Sequence, residues 1–167
     1  MLSPDDFLLA GKLTQFVSID LLVKHDDKYL LGLRTNNPAI NTYFVPGSKT
    51  HKNSSLTTNF SRITQFELGK ALDIERAEFL GVFDHIYERN YRDESYGTHY
   101  VCTAVLVECQ DAREAQLFTD SLLKEQHNSV KWLTAEEILE SDRVNNFTKY
   151  YFTEDAPNVF YRRKILE

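Results

Sequence analysis

From Phe16 to Val23 the chain alternates in a period of two. Val17, Ile19, Leu21 and Val23 fall on one side of an extended segment, and Phe16, Ser18, Asp20 and Leu22 on the other. That period predicts a strand. His25-Asp26-Asp27-Lys28 predicts a hairpin turn, and Tyr29 to Leu33 the returning strand. Upstream, Ser3-Pro4-Asp5-Asp6 predicts a helix start: a capping hydroxyl, proline in the first turn, and acids that suit the helix dipole. That helix is expected to end near Gly11. Thr35 to Thr42 reads as a loop, and Tyr43 to Val45 as a short strand stopped by Pro46-Gly47. After a polar loop, a helix is expected from about Ser55 to Leu68, with Gly69 as its stop. Phe79 to Tyr87 and Thr98 to Glu108 predict strands joined by a polar and aromatic loop, and Ser129 to Leu133 another strand. Thr134-Ala135-Glu136-Glu137 is a capping box opening a helix, and Phe147 to Phe152 is read as helical. Hairpins mixed with helices, with strands in the majority, predict an α/β fold: a mixed sheet with helices packed on it.

One position departs from this pattern. On a helical wheel at about 100° per residue, Leu56, Phe60, Ile63 and Glu67 share one stripe. The three apolar members turn it toward the core. Glu67 then stands on a buried face at the helix C-terminus, where the dipole opposes a negative charge by about 0.3–1 kcal/mol. A partly buried carboxylate there needs a cation or a hydrogen-bond partner, and a divalent metal answers both needs. Arg62 flanks the stripe, and the preceding loop carries Lys49, His51 and Lys52, with His51 read as exposed. Local cations beside a metal ligand suit a diphosphate.

Composition narrows the class. With 167 residues, 42% of them apolar, and no spacer rich in Pro, Gly or Ser, the chain is expected to form one domain over 1–167. A net charge of −6 argues against non-specific nucleic-acid binding but leaves room for a phosphorylated small molecule. Cys102 and Cys109 lie on one extended segment, about 23 Å apart at about 3.3 Å per residue, and cannot pair with each other. Free thiols, and the lack of a basic N-terminal region or a membrane-length apolar run, lead us to expect a soluble cytoplasmic protein.

The stretch from Ser48 to Gly69 resembles the Nudix box, whose pattern is Gly, five residues, Glu, seven residues, then Arg-Glu-apolar-x-Glu-Glu-x-Gly. Arg62, Glu67 and Gly69 match it; Ser48, Ser54, Ile63 and Phe66 depart from it. RITQFELG is similar to the Arg-Leu-Thr-x-Ala-Glu-Leu-Gly ending of the GDP-mannose mannosyl hydrolase branch of that superfamily. The similarity extends through FVSIDLLV, YLLGLRTNNPA, YFVPG, GVFDHIYE, THYV and EQHNSVKWL. The resemblance implies a Nudix-type mixed sheet sandwiched between helices. It also implies attack of water on the anomeric carbon of a GDP-hexose, most naturally GDP-mannose, releasing GDP and free sugar.

By the same resemblance, Gly47 (through its carbonyl), Glu67 and Gln126 would hold Mg2+, and His127 would be the general base, a role that suits an imidazole near neutral pH. Arg34, Arg62 and Lys49 would bind the diphosphate. Asp20, Arg34, His85 and Tyr100 would line the sugar and phosphate pocket. A homodimer is implied as well, with neither nucleic acid nor membrane as partner. Two alternatives stay open from the sequence. Ser48 and Ser54 suit a domain that binds a nucleotide sugar without turnover; a pyrophosphohydrolase attacking phosphorus is disfavoured by the absence of acids at Ile63 and Phe66. Ser48, in place of glycine, is expected to cost the loop a backbone conformation open mainly to Gly.

Overall fold

The alternating run becomes β1 (Phe16–His25) and returns as β2 (Lys28–Arg34). Asp26, in the tight turn between them, takes a φ of 54°, a left-handed conformation that Asp tolerates better than most residues. The structure, a computed structural model, describes residues 3–35, 40–90, 93, 95–125, 127–157 and 159–162, without the side chains of 124, 125, 127, 128 and 162. Before β1 comes α1 (Pro4–Leu13), capped by Ser3, whose hydroxyl accepts from the Asp6 N–H. After β2 follow β3 (Tyr43–Phe44), β4 (Gly47–Lys49), α2 (Leu56–Leu68), a 3-10 turn at Ile74–Arg76, β5 (Ala77–Tyr87) and β6 (Thr98–Glu108). The chain continues through α3 (Ala112–Glu125), β7 (His127–Thr134), α4 (Ala135–Glu140), α5 (Asn146–Lys149) and β8 (Val159–Arg162). The capping box at Thr134 and Glu137 forms as read from sequence.

β1 organises the sheet. It runs parallel to β6 from Phe16↔Tyr100 to Lys24↔Glu108. On its other edge it has two antiparallel partners. β4 pairs with its first half (Ser18↔Lys49, Asp20↔Gly47) and β2 with its last residues (Lys24↔Tyr29, His25↔Lys28). The edge therefore forks near Leu21, whose N–H donates to the Pro46 carbonyl at 2.8 Å. β2 pairs with β7 along its whole length, from Lys28↔Thr134 to Arg34↔His127.

Both faces of β1 are covered, because alternate side chains enter different cores. Ile19, Leu21 and Val23 pack with Phe60, Ile63 and Leu68 of α2 and with Phe118 and Leu122 of α3. Leu22, with Phe83 of β5 and Cys102 and Ala104 of β6, packs against Ile138 of α4 and against Val144, Tyr151 and Phe152. Each fully buried large apolar side chain contributes about 1.5–3 kcal/mol. The sheet is thus a mixed sheet between two helical layers, as expected.

Three expectations are corrected here. α3 is a fourteen-residue helix that the strand-centred reading of the sequence omits. It docks through Glu114, buried, with Lys70 Nζ at 2.8 Å and Arg76 Nη2 at 2.9 Å. Burial alone would raise the pKa of this carboxyl, but the hydrogen bonds from Arg76, Lys70 and the Gln110 N–H draw it down to about 2. The supposed polar loop after Pro46 begins as β4, because Gly47 to Lys49 complete the edge of β1. Leu56 does not share the buried stripe: at the first position of α2 it is 55% exposed, and the stripe is completed instead by Asn59 and Thr64, both fully buried.

Candidate functional site at the fork of β1

The fork gathers residues that are distant in sequence. Asp20 and Gly47 face each other across the β1–β4 ladder, and a Cβ on Gly47 would meet Asp20 Oδ1 at 2.7 Å and the Ile19 carbonyl at 2.8 Å. Only glycine fits that approach. Arg34, at the end of β2, lies over the Phe44 ring at 5.6 Å and close enough for its charge to act on Asp20. The backbone of His127 opens β7 directly opposite Arg34, so this residue sits on the strand, which starts ahead of the expected Ser129. Its side chain, and the whole of Gln126, lie outside the described residues.

α2 supplies the second wall. Ser55 caps it and Gly69, at φ 73°, ends it. Glu67 is 3% exposed in the last turn, which carries no basic residue. Its charge favours the protonated guanidinium of Arg62. Arg62 bridges to β4, with Nη2 donating to the Lys49 carbonyl at 2.7 Å. Its Nε–H is buried with no acceptor among the described residues. Burial lowers the pKa of this guanidinium and Glu67 opposes that shift. An orphaned donor of this kind carries a desolvation cost until an acceptor arrives, which fits an anionic ligand. Lys49 turns its ammonium over the Phe7 ring at 4.0 Å. His51 is half-buried, not exposed as expected, and burial lowers its pKa, helped by the charges of Arg62, the N-terminus and Lys49.

The departures from the Nudix box have local explanations. Ser48 is an ordinary strand residue opposite Ile19 and is not among the residues with positive φ, so the glycine conformation is not required. Where the box has a glutamate at the position of Ser54, the bracing falls to Asn59, which sequence reasoning missed. Its Oδ1 accepts from the His51 N–H at 2.7 Å and from Arg62 Nη2 at 3.3 Å, while Nδ2 donates to the Ser54 and Ser55 carbonyls at 3.2 and 2.9 Å. Asn59→Leu keeps the branched heavy-atom shape but leaves the His51 N–H without its acceptor and the Ser54 carbonyl without its Nδ2 donor, while the Ser55 carbonyl still accepts from the residue-59 backbone N–H. It is expected to destabilise the fold by about 1–3 kcal/mol, seen as a lower urea midpoint at unchanged slope.

On the α5 side of the fork runs a buried polar chain. Ser18 Oγ is 2.8 Å from Cys102 Sγ, which is 3.2 Å from His85 Nδ1. His85 Nε2 is 3.1 Å from the Tyr151 hydroxyl, and that hydroxyl donates to Asp20 Oδ2 at 2.6 Å. The His85 ring stacks on Phe147 at 4.5 Å. Tyr100, opposite His85 in the β5–β6 ladder, is half-buried against Phe16. Burial lowers the pKa of His85 to about 3. Burial raises that of Asp20 to about 6, against the hydrogen bond from Tyr151, the charge of Arg34 and the hydroxyl of Ser18. Burial likewise pushes the Cys102 thiol well up.

Asp20, His85 and Cys102 offer ligand-type atoms within 4.8 Å of one another. That set of thiol, imidazole and carboxylate suits a softer metal and not magnesium, which prefers oxygen. The Tyr151 oxygen is already bonded to two of the three. Glu67 and the Gly47 carbonyl are the oxygen donors that fit a hard cation.

No protein-family model matches the chain. It is 39% identical over 95 residues to the low-salt glycan biosynthesis protein Agl8 of Haloferax volcanii, a match spanning 57% of this chain and 60% of that protein, less than two thirds of its length. Among solved structures, the MutT Nudix hydrolase of Burkholderia pseudomallei superposes with a TM-score of 0.63 at 22% identity, covering 83% of this chain and 96% of that one. NrtR of Shewanella oneidensis in complex with a 27mer DNA gives a TM-score of 0.54 at 19% identity, covering 83% of this chain and 59% of that one. The fold is therefore the Nudix fold. One protein sharing this fold is thus seen in complex with DNA. No helix among the described residues is long and apolar enough to cross a membrane.

Proposed function

We propose that this chain hydrolyses a GDP-hexose, GDP-mannose above all, to GDP and the free sugar. The observation that carries the reading is the pairing at the fork: a glycine-only approach at Gly47 beside Asp20, with Arg34 opposite the His127 backbone. The buried acid Glu67, the Arg62 Nε–H that has no acceptor among the described residues and the 39% identity to a glycan-biosynthesis protein support it further.

In this reading His127 takes the proton of a water whose oxygen adds to the anomeric carbon. The bond from that carbon to the diphosphate oxygen breaks, and GDP departs with the bonding pair. Arg34, Arg62 and Lys49 bind the phosphates, and Asp20, His85 and Tyr100 shape the sugar side. Glu67, the Gly47 carbonyl and Gln126 would hold magnesium, which when bound neutralises the charge developing on the leaving diphosphate. The protein acts as a cytoplasmic homodimer in this reading, and sedimentation checks the dimer.

Hydrolysis in ¹⁸O water tests the reaction. The expected label is in the released hexose. Label in a phosphate means attack at phosphorus, and GDP-sugar binding without turnover in the presence of magnesium means a binding domain; either result overturns the proposal.

A further inference from the structure

The buried chain from Cys102 to Asp20 has a direction that bond counting fixes. Tyr151 has one hydroxyl proton, and it goes to Asp20 Oδ2. The 3.1 Å contact between that phenol oxygen and His85 Nε2 must then be donated by the imidazole. A neutral imidazole carries one N–H, so His85 Nδ1 is bare and accepts the Cys102 thiol proton across 3.2 Å. The Ser18 hydroxyl lies 2.8 Å from the Cys102 sulfur and bears on Asp20 as well. Cys102, His85 and Tyr151 each donate once along the chain toward one carboxylate, an arrangement in which hydrogen bonds strengthen one another.

The consequence concerns what this pocket offers a ligand. Both His85 nitrogens are taken, and the ring is 2% exposed and stacked on Phe147. We infer that Tyr151 is a positioning residue: its hydroxyl orients Asp20 and locks His85 as the Nε2–H tautomer, so that the pocket presents a carboxylate acceptor, and no imidazole, to a sugar hydroxyl. His85 thus acts through Tyr151. Nothing in the sequence motifs marks Tyr151, which follows α5 and reaches Asp20 only through the tertiary fold. The inference deepens the proposed function and rests on Asp20 being its sugar contact. The tautomer itself does not depend on that reading.

The test has two arms. Long-range ¹H–¹⁵N spectra of the wild-type protein at pH 8, with the His85 signals identified by their loss in His85→Gln, are expected to show a protonated Nε2 and a bare Nδ1. An Nδ1–H tautomer overturns the inference without any Tyr151 variant. In the second arm, Tyr151→Phe is expected to lower kcat/KM for GDP-mannose about tenfold, as for loss of one oriented charge-assisted bond, mostly through KM. The Kd for GDP, which lacks the sugar, is expected to hold within about twofold. A parallel weakening of GDP binding overturns the positioning role. If the wild-type protein hydrolyses no GDP-sugar, the proposed function falls, and the spectra still decide the tautomer.

Discussion

Replacing His127 by Gln is expected to lower kcat for release of hexose from GDP-mannose by about 10²–10⁴-fold, the usual worth of a general base, while leaving the Kd for GDP unchanged. The split follows from geometry. β7 begins at His127, opposite Arg34, so the backbone at this position is fixed by the ladder and a change of side chain leaves the end of β2 that carries Arg34 in place. Gln keeps a polar side chain of similar reach and removes the proton acceptor. The wild-type rate is expected to rise with pH through the imidazole range, near about 6.5 for an unperturbed ring, and the residual rate of the variant to lose that rise. Product analysis by mass distinguishes hexose plus GDP from hexose phosphate plus GMP in the same samples. Full turnover in the variant at neutral pH sinks the assignment of the base.

What the sequence discloses and what it hides divide along physical lines. Local signals survive well. Thr134 and Glu137 form their capping box, Ser55 and Gly69 bracket α2, and the alternation from Phe16 marks β1, because each depends on neighbours within a few residues. α3 does carry a local signal, apolar Ala115, Phe118 and Leu122 at helical spacing, and all three are buried. β4 is invisible because Gly47-Ser48-Lys49 has no strand composition; it is extended only because β1 offers an edge. Within the candidate site, Glu67 stands out as an acid on an apolar stripe, and the structure buries it. Asn59 gives one usable signal, a helical amide just inside a cap, yet its bracing role appears only once His51 and Arg62 converge on its Oδ1. Tyr151 and Cys102 give none, since either reads as an ordinary core residue until the fold brings them to His85 and Asp20.

Asp20→Asn is expected to stabilise the protein while impairing sugar turnover. The carboxyl of Asp20 is buried, and its pKa rises from 3.8 to about 6 because burial outweighs the help of Tyr151, Arg34 and Ser18. A raised carboxyl pKa means that the folded state holds its proton more tightly than the unfolded chain does. Above pH 7 both states are ionised, and the fold bears the full cost of a buried charge, about 3 kcal/mol at 1.36 kcal/mol per pKa unit. As pH falls through about 6 the folded protein takes up the proton first and the cost is relieved; below about 3.8 both states are neutral and none remains. Asn at this position still accepts from the Tyr151 hydroxyl and carries no charge, so the gain over wild type is expected to be near zero at pH 4 and to grow to about 3 kcal/mol at pH 8. The difference between the two proteins is the quantity to measure, by urea unfolding at each pH. His85, lowered to about 3, contributes the opposite slope to both, because its unfolded form takes up a proton below about 6.5 and its folded form does not. A variant less stable than wild type at pH 8, or a gain that does not vary with pH, contradicts the buried charge. A more stable variant with weakened hexose release is what a carboxylate kept for its chemistry, at the expense of the fold, entails.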